Sequence, residues 1–340
     1  MKEDAMKTRR IERGEKVAPG LVLTRDLGSL KKGRVLSEAD VRAIDAAVWK
    51  DLDVLELEPG DVHEDSAGQR LAAAVAGEGV GVGAVDGGSF PLMARRRGLV
   101  ALDTDRLAKL NLVPDLAAYA HPDGYVAVEG DIVGRVKIIP FVTREEHLRR
   151  AEETAAGGIV RVRPFIPMRA ALLVHEQIAE QALERGRRSF QEKLSFFGSR
   201  LETARAVAGN PRALSEAVDG EQRAGAQLVL LVGSRSMDPQ DPVLQALDVV
   251  GARMERHGVP AYPGTLLWIA YLGDIPVLGA PSCGIFSRAT SLDVVLPRLM
   301  AGDRMDAAGI AALSSGGIIA PETSYRLAPY RKGVPRGQLE

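Results

Sequence analysis

The chain reads as an α/β protein: a C-terminal three-layer α/β/α domain with a mostly parallel sheet, preceded by an α+β region. Short apolar runs recur in the second half as ALLVHE (171–176), QLVLLVG (227–233) and IPVLGAP (275–281), and amphipathic stretches separate them. Apolar strands alternating with helices are the pattern of a parallel sheet covered on both faces. The first half instead mixes short alternating runs with helices and places no long apolar strand in succession. At 340 residues the chain exceeds one ordinary core. A boundary is expected near residue 165, which gives a region 17–165 of unassigned role and a domain 166–320.

Composition narrows the function classes. Apolar residues make up 46% and charged residues 26%, as in a water-soluble globular protein. The formal net charge of −1 creates no field drawing in nucleic acid or an anionic membrane. The single cysteine, Cys283, excludes an internal disulfide and fits a reducing, cytoplasmic compartment. The opening MKEDAMKTRRIERGEK has no apolar stretch behind it, so residues 1–16 read as a charged flexible tail rather than a signal peptide. No apolar run approaches bilayer length.

Along the first half, Ser37 with Asp40 resembles a capping box before a helix carrying Val41, Ile44 and Val48. DVLELEPGD reads as a strand and turn, and Asp61 with Glu64 as the N-cap signature of the next helix. GEGVGVGAVDGGS (77–89) reads as a glycine-rich linker. GLVALDTDRLAKLN gives a strand and a short helix, VAVEGDIVGRVKIIPFV a hairpin or small barrel segment, and REEHLRRAEETAA a closing helix.

In the second half, RRSFQEKLSFFGSRLETARAV keeps helical spacing through Phe190, Leu194, Phe197 and Leu201. DPVLQALDVVGARMERHG and LDVVLPRLMAG supply further helices. The C-terminal residues 321–340 read as a loose tail or a docking arm.

The most specific stretch is VGSRSMDPQDPVLQAL (232–247). In a parallel α/β sheet, ligands sit at the carboxyl ends of strands, where a loop enters the next helix. Gly233, Ser234 and Ser236 fall at such an end, so small residues let backbone N–H groups approach an anion before a helix N-terminus. Asp238 and Asp241 suit a different contact: a metal, or the paired donors of a heterocycle edge. A pterin presents that edge. The competing reading is purely structural, with Asp238 capping the helix, Pro239 in its first position and Asp241 facing its dipole.

LVLLVGSRSMDPQD resembles the ligand loop of molybdopterin-binding domains, the family of molybdopterin adenylyltransferases and molybdotransferases. Gly233 and Ser236 match its pattern, and Asp241, or Asp238, stands for its aspartate. HGVPAYPGTLLWIAYLGDIPVLGAPSCGIFS is similar to the molybdotransferase order of a Pro-Gly turn, a strand and a second loop. It places Pro263, Gly264 and Thr265 in one turn and Gly279, Ala280, Pro281, Ser282 and Cys283 in the other. The likeness spans about residues 168–317 and is greatest to uncharacterised bacterial molybdopterin-binding proteins. It implies molybdopterin, free or nucleotide-linked, as ligand, and for a catalytic form ATP and Mg2+ as cofactors. It further implies a role in molybdenum cofactor biosynthesis or delivery to a molybdenum enzyme, and a homo-oligomer, dimer or trimer.

Departures bear on catalysis. Ser234 replaces a glycine, Thr265 the molybdotransferase lysine and Ser282-Cys283 its Gly-Asn. Ser189 and Asn210 occupy places where the adenylyltransferase pattern has aspartates. Three outcomes stay open: a transferase in which Asp241 is the catalytic carboxylate, a carrier that keeps the cleft without transfer chemistry, or a structural relic with an unrelated ligand. Cys283 fits a ligand contact or a small buried hydrophobe. Arg187 and Arg188 fit a phosphate clamp or a solvated helix start. Arg95, Arg96 and Arg97 form a basic run of the kind usually found on solvated surface. His63, His121, His147, His175 and His257 lack metal spacing, though His175-Glu176 ends a strand facing the expected cleft.

Overall fold

The computed structural model describes residues 7–86, 88–175, 179–233, 238, 240–280 and 289–330. In chain order the elements begin β1 (Thr8–Glu12), β2 (Val22–Leu23), α1 (Glu38–Ala46), β3 (Asp51–Leu55), β4 (Asp61–His63), α2 (Glu64–Val75), β5 (Val80–Val82) and β6 (Ser89–Ala94). There follow β7 (Gly98–Leu102), α3 (Thr104–Leu110), β8 (Leu116–Ala120), β9 (Val126–Ala127), β10 (Ile132–Ile138), β11 (Val142–Arg144), α4 (Glu145–Ala155) and β12 (Val160–Pro164). The remainder is β13 (Arg169–Val174), α5 (Glu180–Phe196), β14 (Arg200–Ala206), α6 (Pro211–Arg223), β15 (Leu228–Val232) and α7 (Pro242–Val250). It ends with β16 (Arg253–His257), β17 (Trp268–Leu272), β18 (Ile275–Ala280), α8 (Ser291–Met300) and α9 (Ala307–Ala312). Two compact units result: residues 1–96, 101–123 and 129–162, and residues 97–100, 124–128 and 163–340.

The first unit holds small antiparallel sheets and helices. Strand β1 pairs β3 along Thr8↔Leu55 to Glu12↔Asp51, so part of the segment read as a charged tail is a strand. Ile11, fully buried, gives that strand its inward face. A four-stranded sheet has the order β5-β6-β10-β8. The glycine-rich stretch read as a linker thus contains a strand, β5, paired with β6 from Val80↔Ala94 to Val82↔Leu92. One reason for a glycine there is steric: a Cβ at Gly81 would run into the Arg95 guanidinium. The stretch 126–142 is no hairpin, because β10 takes its partners from β6 and β8. The Ser37–Asp40 capping box is present at α1. At α2 the N-cap is His63, and Asp61 instead accepts from the Glu58 N–H (2.9 Å) and pairs with Arg144 (2.8 Å).

The second unit is a three-layer α/β/α sandwich on a six-stranded sheet of order β14-β13-β15-β18-β17-β16. Strands β14, β13, β15 and β18 run parallel, and β17 and β16 turn antiparallel at one edge. Period-2 side-chain alternation divides its buried residues between two cores. Leu172, Val174, Leu230, Val232 and Leu278 pack under Phe190 and Leu194 of α5 and Leu292, Val295 and Leu299 of α8. Ala171, Leu173, Val229, Leu231, Val277 and Trp268 pack under Leu214 and Val218 of α6 and Val243 and Leu247 of α7.

The helical spacing read through Leu201 stops at Phe196, because Leu201 lies in β14. The C-terminal segment is not loose over its first ten residues. Pro321–Arg326 forms a 3-10 turn, and Leu327, Ala328 and Tyr330 join the α5/α8 core. Tyr330 sits edge-on to Phe196 and Phe197, with ring centroids 5.9 and 6.1 Å away.

Candidate functional site

Strand register brings the candidate loops to one rim of the second unit. Val174 pairs with Val232, Val232 with Ala280, and Val174 with Ala206, so four parallel strands end level. On the antiparallel side, Trp268 opens β17 opposite Gly279, and His257 closes β16 opposite Trp268. The loops after β13, β14, β15, β16 and β18 therefore leave from the same end. Main-chain bonds level it: the N–H of His175 donates to Val232 O (3.0 Å), that of Val207 to Val174 O (2.8 Å) and that of Gly233 to Ala280 O (3.1 Å).

Gly233 has φ +109°, a conformation open to glycine and strained for other residues. Asp238 is half-buried and accepts from the Gln240 N–H at 2.9 Å, making a short Asx turn. Asp241 is the N-cap of α7: one carboxylate oxygen accepts from the Val243 N–H at 2.9 Å and Pro242 follows in the first turn. Only 1% of its surface is exposed. The structural reading of this loop thus holds in kind, with the cap at Asp241 rather than Asp238. A direct ligand contact from Asp241 conflicts with that burial.

Pro263 and Gly264 sit in a turn fastened to the start of α8. The Ser291 N–H donates to Pro263 O (2.9 Å) and the Ser291 hydroxyl to Gly264 O (2.6 Å). Gly264 has φ +109°, and a Cβ there would overlap the Ser291 hydroxyl and lie 2.9 Å from the Ser291 nitrogen. Thr265 turns its hydroxyl onto Ala261 O at 2.9 Å. Gly279 has a separate reason to be glycine: a Cβ would overlap the fully buried Trp268 indole on the neighbouring strand. Ser234, Ser236, Pro281, Ser282 and Cys283, together with Glu176, lie outside the described residues.

Nearby groups read as candidates have partners of their own. Arg187 forks onto Glu184 (2.7 and 2.8 Å), and Arg188 stands 3.8 Å from the same carboxylate. They line an open groove of about 500 Å3 with Glu180, Arg185 and Ala204. Asn210 caps α6 by accepting from the Ala213 N–H at 3.0 Å, which accounts for an amide at that position. Among the described residues, no group of three or more His, Cys, Asp or Glu is arranged to hold a metal ion, and no helix is long and apolar enough to cross a membrane.

The start of α8 was missed by the sequence reading, although Thr290-Ser-Leu-Asp293 carries the spacing of a capping box. Asp293, fully buried, accepts from the Thr290 N–H at 2.7 Å and pairs with the buried ammonium of Lys193 from α5. Lys193 also lies over the Tyr330 ring, 4.9 Å from its centroid. Burial, with the Asp293 charge beside it, pushes the Tyr330 phenol well above its usual range.

No family model matches the chain, and no curated protein matches it. Among solved structures, it is similar to a molybdopterin biosynthesis moea protein from Pyrococcus horikosii at 12% identity. That likeness covers 71% of this chain and 79% of the other, with a TM-score of 0.33. It is also similar to a putative molybdenum cofactor biosynthesis protein from Corynebacterium diphtheriae, at 15% identity over 39% of this chain and 94% of the other, TM-score 0.30. A third likeness is to MogA, at 15% identity over 38% of this chain and 94% of that one, TM-score 0.28. The described residues of the second unit make it an α/β domain of three layers, with a predominantly parallel sheet.

Proposed function

We propose that the second unit binds molybdopterin, free or nucleotide-linked, and acts in the cytoplasm in molybdenum cofactor biosynthesis or in delivery to a molybdenum enzyme. The observation that carries this reading is the convergence on one sheet rim of the strand ends from which the molybdopterin-binding-like motifs continue, separated by up to about fifty residues in sequence. Gly233, Asp238 and the turn 263–265 lie at that rim, where the start of α7 favours a terminal phosphate. Asp238, half-buried, is then the acid side chain that meets the ligand, and Asp241 holds the start of α7 in place. ATP, with Mg2+ as its accompanying ion, belongs to the transferase form of this proposal, as does self-association into a dimer or trimer.

The test is direct. The protein is expressed in a host that makes the cofactor, purified, oxidised, and assayed for released pterin fluorescence. A stoichiometric signal supports the reading, and its absence from a folded, monodisperse sample rejects it.

A second reading, a carrier without transfer chemistry, is favoured by Ser189 and Asn210 in place of two aspartates and by the burial of Asp241. Incubation with molybdopterin, ATP, Mg2+ and molybdate separates the two. Adenylylated pterin or inserted molybdenum marks the transferase, and binding without either product marks the carrier.

A further inference from the structure

The turn that carries Pro263 and Gly264 also holds Tyr262, and its setting is unusual. The Tyr262 N–H donates to Gly317 O (2.8 Å), and the Ile319 N–H donates to Tyr262 O (2.8 Å), a parallel bridge to the segment after α9. On its other side the turn is fastened to Ser291 of α8 through Pro263 O and Gly264 O. The backbone is thus held on both flanks, while the Tyr262 side chain stands 72% exposed. Ile318, its bridge partner, is 74% exposed and Leu266 41%. Tyr262 and Ile318 are thus two large apolar residues left in water on backbone that is hydrogen-bonded in place. The place of Tyr262 follows from register: the loop 258–267 leaves β16 at His257 and enters β17 at Trp268, both at the rim where β18 ends.

We infer that the exposed Tyr262 ring is the stacking platform for the flat heterocycle of the ligand proposed above. The inference rests on that reading and adds the residue that recognises the ring rather than the phosphate. A tyrosine on a fixed backbone loses little conformational freedom on stacking, and any planar heteroaromatic face satisfies it. Its hydroxyl is dispensable for this role; the ring is not.

The experiment titrates a stable 6-alkylpterin monophosphate into the full chain and follows pterin fluorescence, for wild type, Tyr262→Phe, Tyr262→Leu and Tyr262→Ala. Thermal melts check each fold, which the exposure of the ring predicts to be unchanged. The expected result is wild-type binding with quenched fluorescence, Tyr262→Phe within about twofold, and Tyr262→Leu and Tyr262→Ala weaker by about tenfold or more without the quenching. Wild-type binding with Tyr262→Leu inside twofold overturns the platform and leaves the proposed ligand standing. No binding by wild type overturns both.

Discussion

Ser291 and Gly264 are joined by a 2.6 Å hydrogen bond from hydroxyl to carbonyl, at a glycine whose missing Cβ makes room for that hydroxyl. The bond ties the loop between β16 and β17 to the start of α8, and so fixes one wall of the rim. Substitution at Gly264 meets a left-handed φ and a clash together. Gly264→Ala is expected to cost about 2 kcal/mol or more, and Ser291→Ala about 1 kcal/mol, the net worth of one hydrogen bond. Chemical denaturation of both variants checks the ranking; equal stability of Gly264→Ala and wild type rejects it.

Gly279 and Trp268 form a second close pair. Gly279→Ala forces the indole out of a packed core and is expected to destabilise by roughly 1–3 kcal/mol. Trp268→Leu alone opens a cavity, yet combined with Gly279→Ala it makes room for the new methyl group. The double variant is therefore expected to be more stable than the sum of the two single effects predicts. Additive losses would mean that the two side chains do not compete for one space.

Lys193 and Asp293 form an ion pair out of water between α5 and α8. Removing one partner strands a charge: Lys193→Met is expected to cost about 3–5 kcal/mol, whereas Lys193→Met with Asp293→Leu recovers much of that loss. Denaturant midpoints with unchanged m-values are the measurement. A double variant as unstable as the single one would assign the loss to the cap at Thr290 instead.

In the first unit, Arg70 of α2 reaches Glu145 (2.7 and 2.9 Å) and Glu152 (3.0 and 2.9 Å) of α4. The Arg70 guanidinium holds the Glu145 carboxyl down at about 2, below its usual 4.5. The folded value lies below the unfolded one, so this contribution is complete above about pH 4.5 and is lost as pH falls towards 2. Glu145→Gln is expected to flatten the acid limb of the stability curve between those limits. A limb of unchanged slope in that variant would exclude Glu145 as a source of acid lability.

Much of the second unit was legible along the chain. Leu228–Val232 is wholly apolar because both faces of β15 are covered, and the spacing of Phe190 and Leu194 marks the buried side of α5. The edge strands were not legible. Arg200–Ala206 and Arg253–His257 carry charge because one side meets solvent, and their pairing depends on neighbours far away in sequence. The candidate site divides in the same way. That Gly233 and the aspartates begin a helix after a strand could be read from local sequence. That Asp241 is sealed, and that Gly279 serves Trp268, could not.

By itself the sequence determined the alternation of strand and helix, the helix cap at Ser37, and the apolar faces, since each depends on residues within one or two turns of each other. Only tertiary structure decided the strand order β14-β13-β15-β18-β17-β16 and the common rim it creates. It also decided which glycines yield space to a side chain from elsewhere. Those outcomes depend on non-local pairing, where register is set by the partner's buried face and a one-residue slip would turn every side chain to the opposite side.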